Sequence, residues 1–332
     1  MEGRKEKREE KKGSRPYSLY SLFFILFSFF FISCATSPKA EPVLADGAPD
    51  FSVLPAGANI YLWTDVERSR PLLDVLSFGG FKGSDASKIL DRTETAIAAS
   101  YPEGAPQRFF LAAWGEYPKF GAGASLGFSR DWKKIKSGTG SRYWYSKSTK
   151  LGVAMGSDLA IVSNGDPFVP SSGIDPVPDG FEDFRRACVL AGWLNNPDIP
   201  LNSFMESLGI PLQIPAEDFF FGITRVPADL SPAGLNSTDT APWEFVFGIR
   251  VSSASQARSL VSLFSMARFF IQMGAGSEAD FESDSSMSVM ELVSLLFSNS
   301  PEQNEDFLTL RIGPLNENRI ALLLSMFPVY SN

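Results

Sequence analysis

Histidine is absent from all 332 residues. That absence excludes Ser-His-Asp and Cys-His nucleophilic catalysis, His-x-x-x-His zinc sites and haem held by a proximal histidine. It also removes the commonest general base near neutral pH. Cysteine is scarce, with Cys34 and Cys188 the only two. Cys188 lies in the apolar run Ala187-Cys188-Val189-Leu190-Ala191 and reads as a small buried hydrophobe. A catalytic thiol would want a base beside it. Basic side chains are in deficit, with 30 Lys and Arg against 38 Asp and Glu. The resulting net charge of −8 argues against nucleic acid, which is bound through Lys and Arg at phosphates. It argues equally against broad docking on anionic headgroups. Ser-x-x-Lys spacing is missing too, which weakens a penicillin-binding type of chemistry.

The N-terminus is unlike the rest. The first sixteen residues hold seven basic and four acidic side chains. Tyr17 to Ile32 then carry no charge and include six phenylalanines. That apolar stretch spans about 24 Å as a helix, short for a bilayer core of about 30 Å. A basic segment, a short apolar core and a small residue at the exit make a secretory signal. Phe31-Ile32-Ser33-Cys34 resembles the lipobox of bacterial lipoproteins, usually Leu-Ala/Ser-Gly/Ala-Cys. Ser33 and Cys34 match that pattern, Ile32 is tolerated, and Phe31 stands where Leu is usual. Relaxed boxes of this kind resemble those of spirochaetes, and the resemblance covers the leader alone. It implies diacylglycerol on the Cys34 sulfur, cleavage before Cys34, and acylation of the new amine. Each buried methylene contributes about 0.8 kcal/mol, so two or three chains hold a protein firmly on a membrane.

The expected organisation is a signal peptide over residues 1–33, a lipidated tether over 34–55, one half over 56–165, a Pro- and Gly-rich linker over 166–180, and a second half over 181–332. Without the leader the body carries 23 basic and 34 acidic residues, a net −11. Ala35 to Pro55 reads as extended chain with little to bury.

Strands are expected at Ala58–Trp63, Arg108–Trp114, Ala122–Phe128 and Tyr143–Tyr145, and a hairpin at Leu151–Met155 with Leu159–Ser163. The first helix follows Asp65 as cap and uses Leu72, Leu73, Val75 and Leu76; a second is expected over Ser87–Ser100, and a helical turn over Asp131–Lys136. The second half predicts strands at Cys188–Trp193, Asp218–Thr224 and Trp243–Val251. Its helices fall at Pro200–Leu208, Ser255–Met273 and Met287–Phe297. A closing hairpin is expected from Phe307–Ile312 and Arg319–Leu324. The fold class is α+β, antiparallel sheets with helices packed on one face, in two similar halves.

Four constellations compete with blander explanations. Gly123-Ala124-Ser125-Leu126-Gly127 spells G-x-S-x-G, but the elbow needs a strand, a sharp turn, a helix and a histidine. Asp280, Glu282, Asp284, Ser286, Ser288 and Glu291 fall at the ligand positions of a calcium loop. Ser285 replaces the glycine that loop needs, so a solvated acidic loop capping a helix is the simpler reading. Asp179, Glu182 and Asp183 form an acidic patch of the kind glycoside hydrolysis uses, or a helix start. Trp132, Tyr143, Trp144 and Tyr145 suit a ligand surface or plain sheet packing. Alternation sets Tyr143 and Tyr145 on one face and Trp144 on the other.

The combined expectation is a non-enzymatic, lipid-anchored protein of the cell envelope, on the inner or outer membrane, with its body in the periplasm or at the surface. Cys34 is the lipidation site; no catalytic, cofactor or metal residue is assigned, and no cofactor is needed. Its expected partners are membrane lipid through Cys34 and an envelope protein or apolar ligand. A carboxylate-dependent glycan hydrolase and a surface adhesin are the alternatives.

Overall fold

The computed structural model describes residues 49–76, 91–102, 109–118, 126–127, 130–168, 175–207, 213–226, 243–274, 294–295, 297–317 and 319–320. Cys34, the leader, the acidic run Asp280–Glu291 and Gly123 to Ser125 lie outside the described residues.

A 3-10 turn, Phe51–Val53, precedes strand β1 (Ile60–Asp65) and helix α1 (Val66–Leu76). Strands β2 (Thr93–Ser100), β3 (Phe109–Gly115), β4 (Trp132–Lys136), β5 (Arg142–Ser146), β6 (Gly152–Met155) and β7 (Leu159–Ser163) follow. The second half runs α2 (Phe181–Arg186), β8 (Leu190–Leu194), α3 (Asp198–Ser207), β9 (Asp218–Arg225), β10 (Trp243–Arg250), α4 (Ala254–Gly274), β11 (Glu302–Asn304) and β12 (Phe307–Leu315). These strands form one sheet in the order β11-β12-β10-β9-β8-β1-β2-β3-β7-β6-β5-β4. Every pairing is antiparallel. The strands of the two halves meet at β1–β8, where Tyr61 faces Trp193 and Trp63 faces Ala191. The architecture is α+β.

Strand alternation sorts the core into two layers. On one face Leu62, Phe219, Ile223, Phe247 and Leu310 pack against the helices. Helix α1 contributes Leu72 and Leu73, α3 Leu201 and Met205, and α4 Ala257, Leu260 and Phe264. Spacings of three and four along α4 make one apolar stripe, while Ser259, Ser262 and Ser265 bond back to carbonyls four residues earlier. The opposite face carries Tyr61, Trp63, Phe110, Trp193 and Phe220, covered by Phe51, Leu54 and Phe181. Each large apolar side chain so buried contributes about 1.5–3 kcal/mol.

Local chemistry explains the boundaries. Asp65 Oδ1 accepts the Arg68 N–H at 2.9 Å and caps α1. Two glycines facing α2 clear space for it: a Cβ on Gly222 would lie 2.6 Å from Cys188 Sγ, and one on Gly248 would lie 2.5 Å from Phe307 and 3.3 Å from Phe184.

Several expected elements differ. Residues 93–100, expected as the end of a helix, are strand β2, because pairing with both β1 and β3 outweighs the helix preference of its alanines. The expected turn at Asp131–Lys136 is strand β4. Instead of opening a helix, Asp131 accepts from Ser148 N–H at 3.0 Å and Ser148 Oγ–H at 2.7 Å, closing the β4–β5 hairpin from its open end. Leu126 and Gly127, expected in a strand, are helical. Strand β12 pairs with β10 and β11 rather than with a strand from Arg319. Asn316 Oδ1 accepts the Arg319 N–H at 2.9 Å and starts a helical turn there. Finally, Phe51 and Leu54, read as tether, are 7% and 1% exposed and belong to the body. No helix among the described residues is long and apolar enough to cross a membrane.

Candidate functional site

A dense grouping of aromatic and polar side chains lies at the centre of the sheet, over the β1–β8 seam. Tyr61 and Trp63 point the same way from β1, and Trp193 joins them from β8. Tyr61 stacks on Trp193 with centroids 4.5 Å apart. Phe181 meets Trp193 edge-on at 4.6 Å and Phe51 does so at 4.7 Å. Such offset and edge contacts suit the quadrupoles of the rings and add about 0.5–1.5 kcal/mol per pair beyond burial. The Arg185 guanidinium lies 4.5 Å over the Trp63 ring, itself 6% exposed and bonded to Glu182. The indole N–H groups of Trp63 and Trp193 are buried without a hydrogen-bond partner among the described residues.

Asp175 closes this cradle. Its Oδ2 accepts from Gly57 N–H at 2.7 Å, Tyr61 Oη–H at 2.5 Å and Asn195 Nδ2–H at 3.1 Å. Asn195 also donates to Ala58 O at 2.8 Å, and Tyr101 Oη–H donates to Pro55 O at 2.5 Å. The segment Phe51 to Ala58 is thus held by rings below and by three polar side chains beside it. Asp175→Ala should strand the Tyr61 hydroxyl and cost about 1–3 kcal/mol. Urea denaturation measures the loss, and an unchanged midpoint would show that the clasp contributes nothing.

Burial makes three phenols and the Cys188 thiol hold their protons tightly. Burial, then the Asp175 hydrogen bond and charge, push the Tyr61 phenol far above its ordinary range. Burial and Asp175 do the same to Tyr101, and burial does so to Tyr117. Burial pushes the Cys188 thiol up to about 12, and its Sγ–H donates to Phe184 O at 3.4 Å. The tyrosines imply alkaline sensitivity. An unfolded chain releases phenolic protons near pH 10, whereas the folded one keeps them. Above that pH the unfolded state binds fewer protons, so stability is whole below about pH 10 and falls as pH rises. Tyr61 and Tyr117 should each remove up to about 1.4 kcal/mol per pH unit. Urea midpoints taken between about pH 9 and 11 test this, and a flat profile would contradict it.

The residues singled out from sequence are dispersed. Glu182 pairs with Arg185 and Arg186, and Asp183 with Arg186 at 3.3 Å, along one face of α2. The Arg185 hydrogen bond holds the Glu182 carboxyl below its usual range. These acids face arginines rather than one another. Among the described residues no three His, Cys, Asp or Glu side chains group as metal ligands. Trp132 packs on the same face as Trp144, and Tyr143 lies buried on the other. Asp175, Asn195 and Trp193 went unmarked in the sequence; only long-range pairing brings them together.

The fold and site define a class: a single-sheet α+β body with an aromatic centre over the seam between its halves. No protein-family model and no curated relative matches the sequence. Solved structures do match the fold. Crystal form III of TP0453, a protein of the spirochaete Treponema, superposes with a TM-score of 0.52 at 16% identity, over 84% of this chain and 99% of that one. Crystal form I gives 0.50 at 17% identity, over 85% and 99%.

Proposed function

We propose that this chain is a lipid-anchored protein of the cell envelope, with a binding or scaffolding role rather than a catalytic one. The leader ending at Ser33-Cys34 carries the reading. Two observations support it. The body shares its fold with TP0453, a spirochaete envelope lipoprotein. Its first described segment, from Asp50, is clasped at the sheet centre, so a lipid on Cys34 would bear on the rigid part of the fold through a link of about fifteen residues, at most about 50 Å long. The proposed partners are the bilayer, through acyl chains on Cys34, and an envelope protein or apolar ligand at the body.

The glycan-hydrolase alternative is not favoured, since retaining or inverting chemistry needs two facing acids and Glu182 and Asp183 are committed to arginines. Cells fed radiolabelled palmitate test the anchor. The wild-type chain should be labelled and partition into detergent. Cys34→Ser should lose the label and leave the detergent phase. Labelling of the Cys34→Ser chain to the wild-type level would overturn the proposal.

A further inference from the structure

Net charge conceals a local reversal. Between Arg130 and Lys150 seven basic side chains stand against one acid, Asp131, in a chain of net −8. All seven basic residues are exposed, and none forms a salt bridge among the described residues. Elsewhere Arg70, Arg185, Arg250 and Arg311 each sit against a carboxylate. Lys133, Lys134 and Lys136 lie on β4, Arg142 on β5, and Arg130, Lys147 and Lys150 beside the hairpin; among the described residues β4 is the last strand of the sheet.

Among the described residues no strand pairs with the other edge of β4. Lys147 N–H donates to Asp131 O, and Ser137 N–H to Ser141 O at 2.8 Å, so the odd positions of this stretch face β5. The backbone groups of Lys134 and Lys136 therefore turn outward. Lysine also flanks that edge on both sides: Lys133 on the face of Tyr145, Lys134 and Lys136 on the face of Trp144. Lys134 lies 5.6 Å over the Trp144 ring. Lys133 is held below the usual lysine range by its hydrogen bond to, and repulsion from, Lys147. Crowded ammonium groups of this kind gain from an anion.

Lysine on an edge strand is a known guard against pairing with like copies, since β4 against β4 would set lysine against lysine. The same arrangement accepts an unlike guest. We infer that the outer edge of β4 is a docking site for an extended acidic segment of a partner protein, added to the sheet as a further strand. A flat anionic surface needs charge on one side only. An added strand turns successive side chains to both faces, which is how the lysines are distributed. An antiparallel guest would read acid, apolar, acid, acid opposite Lys136, Ile135, Lys134 and Lys133. Ile135, exposed at 36%, supplies the apolar position. This inference does not depend on the lipid at Cys34.

The test is fluorescence anisotropy of a labelled peptide containing Glu-Val-Glu-Glu, titrated with the full-length chain in neutral detergent. Binding is expected, weakening as salt rises. The combined Lys133→Gln, Lys134→Gln and Lys136→Gln variant should bind about ten-fold or more weakly, equivalent to about 1.4 kcal/mol. A peptide of the same charge, N-methylated along the edge that meets β4, should bind as weakly as that. Equal binding of the N-methylated peptide would overturn strand addition. So would absence of peptide binding, whether or not vesicles containing phosphatidylglycerol bind better to the wild-type chain than to the triple variant.

Discussion

Trp193→Ala is expected to lower the free energy of unfolding by about 3–5 kcal/mol. The indole is 1% exposed and is enclosed by Tyr61, Phe51 and Phe181, with centroids 4.5–4.7 Å away. Deleting it removes transfer energy and leaves a void that three rings from separate segments must share. Tyr61 sits on β1 and Phe181 on α2, so neither can close the gap without moving backbone. The indole N–H has no partner among the described residues to lose, so the cost is set by packing. Trp193→Phe keeps a ring in place and should cost less than half as much. Urea denaturation of both variants measures the difference, and equal losses would show that Trp193 does not organise the cradle.

Gly192→Ala is expected to be nearly as damaging, at about 3 kcal/mol, the upper end of ordinary overpacking. A Cβ at Gly192 would lie 2.3 Å from the Tyr61 carbonyl oxygen, 2.6 Å from Phe221 Cζ and 2.9 Å from Leu62 Cδ2. The first of these is backbone in the neighbouring strand, so no rotamer relieves it. Gly192 pairs with Leu62 on one side and Phe221 on the other, at the seam that joins the strands of the two halves. Exchange of the β1 amides should therefore accelerate, while the β4–β5 hairpin, at the end of the sheet, keeps its protection. Loss confined to α4 would place the damage elsewhere and contradict this role.

Elements with local signals were legible. The run Ile60 to Trp63 is β1, and the apolar stripe from Ala257 to Phe264 is α4. The hairpin around Gly156-Ser157-Asp158 is also present as expected. Strand β2 was illegible because Ala96, Ala98 and Ala99 favour helix until β1 and β3 bind both their edges. The clasp was illegible for another reason. Asp175 lies 118 residues from Gly57 and 114 from Tyr61, and no short-range pattern links positions that far apart. Phe51 was hidden among the small and polar residues of the presumed tether, although a lone phenylalanine followed by Val53 and Leu54 was a usable hint. Charge was misleading as an average. The acidic total argues against anionic partners, whereas topology sets three lysines on edge strand β4 with four further basic residues on or beside its hairpin.

Everything proposed about location depends on chemistry at a single sulfur. Intact-mass and N-terminal peptide spectrometry of the chain, purified from the cells that make it, reads that chemistry directly. A mature polypeptide starting at Cys34 and heavier by a diacylglyceryl group and an amide-linked acyl chain is the expected result. A chain that retains Phe23 to Phe31, or one that starts at an unmodified residue, would contradict it.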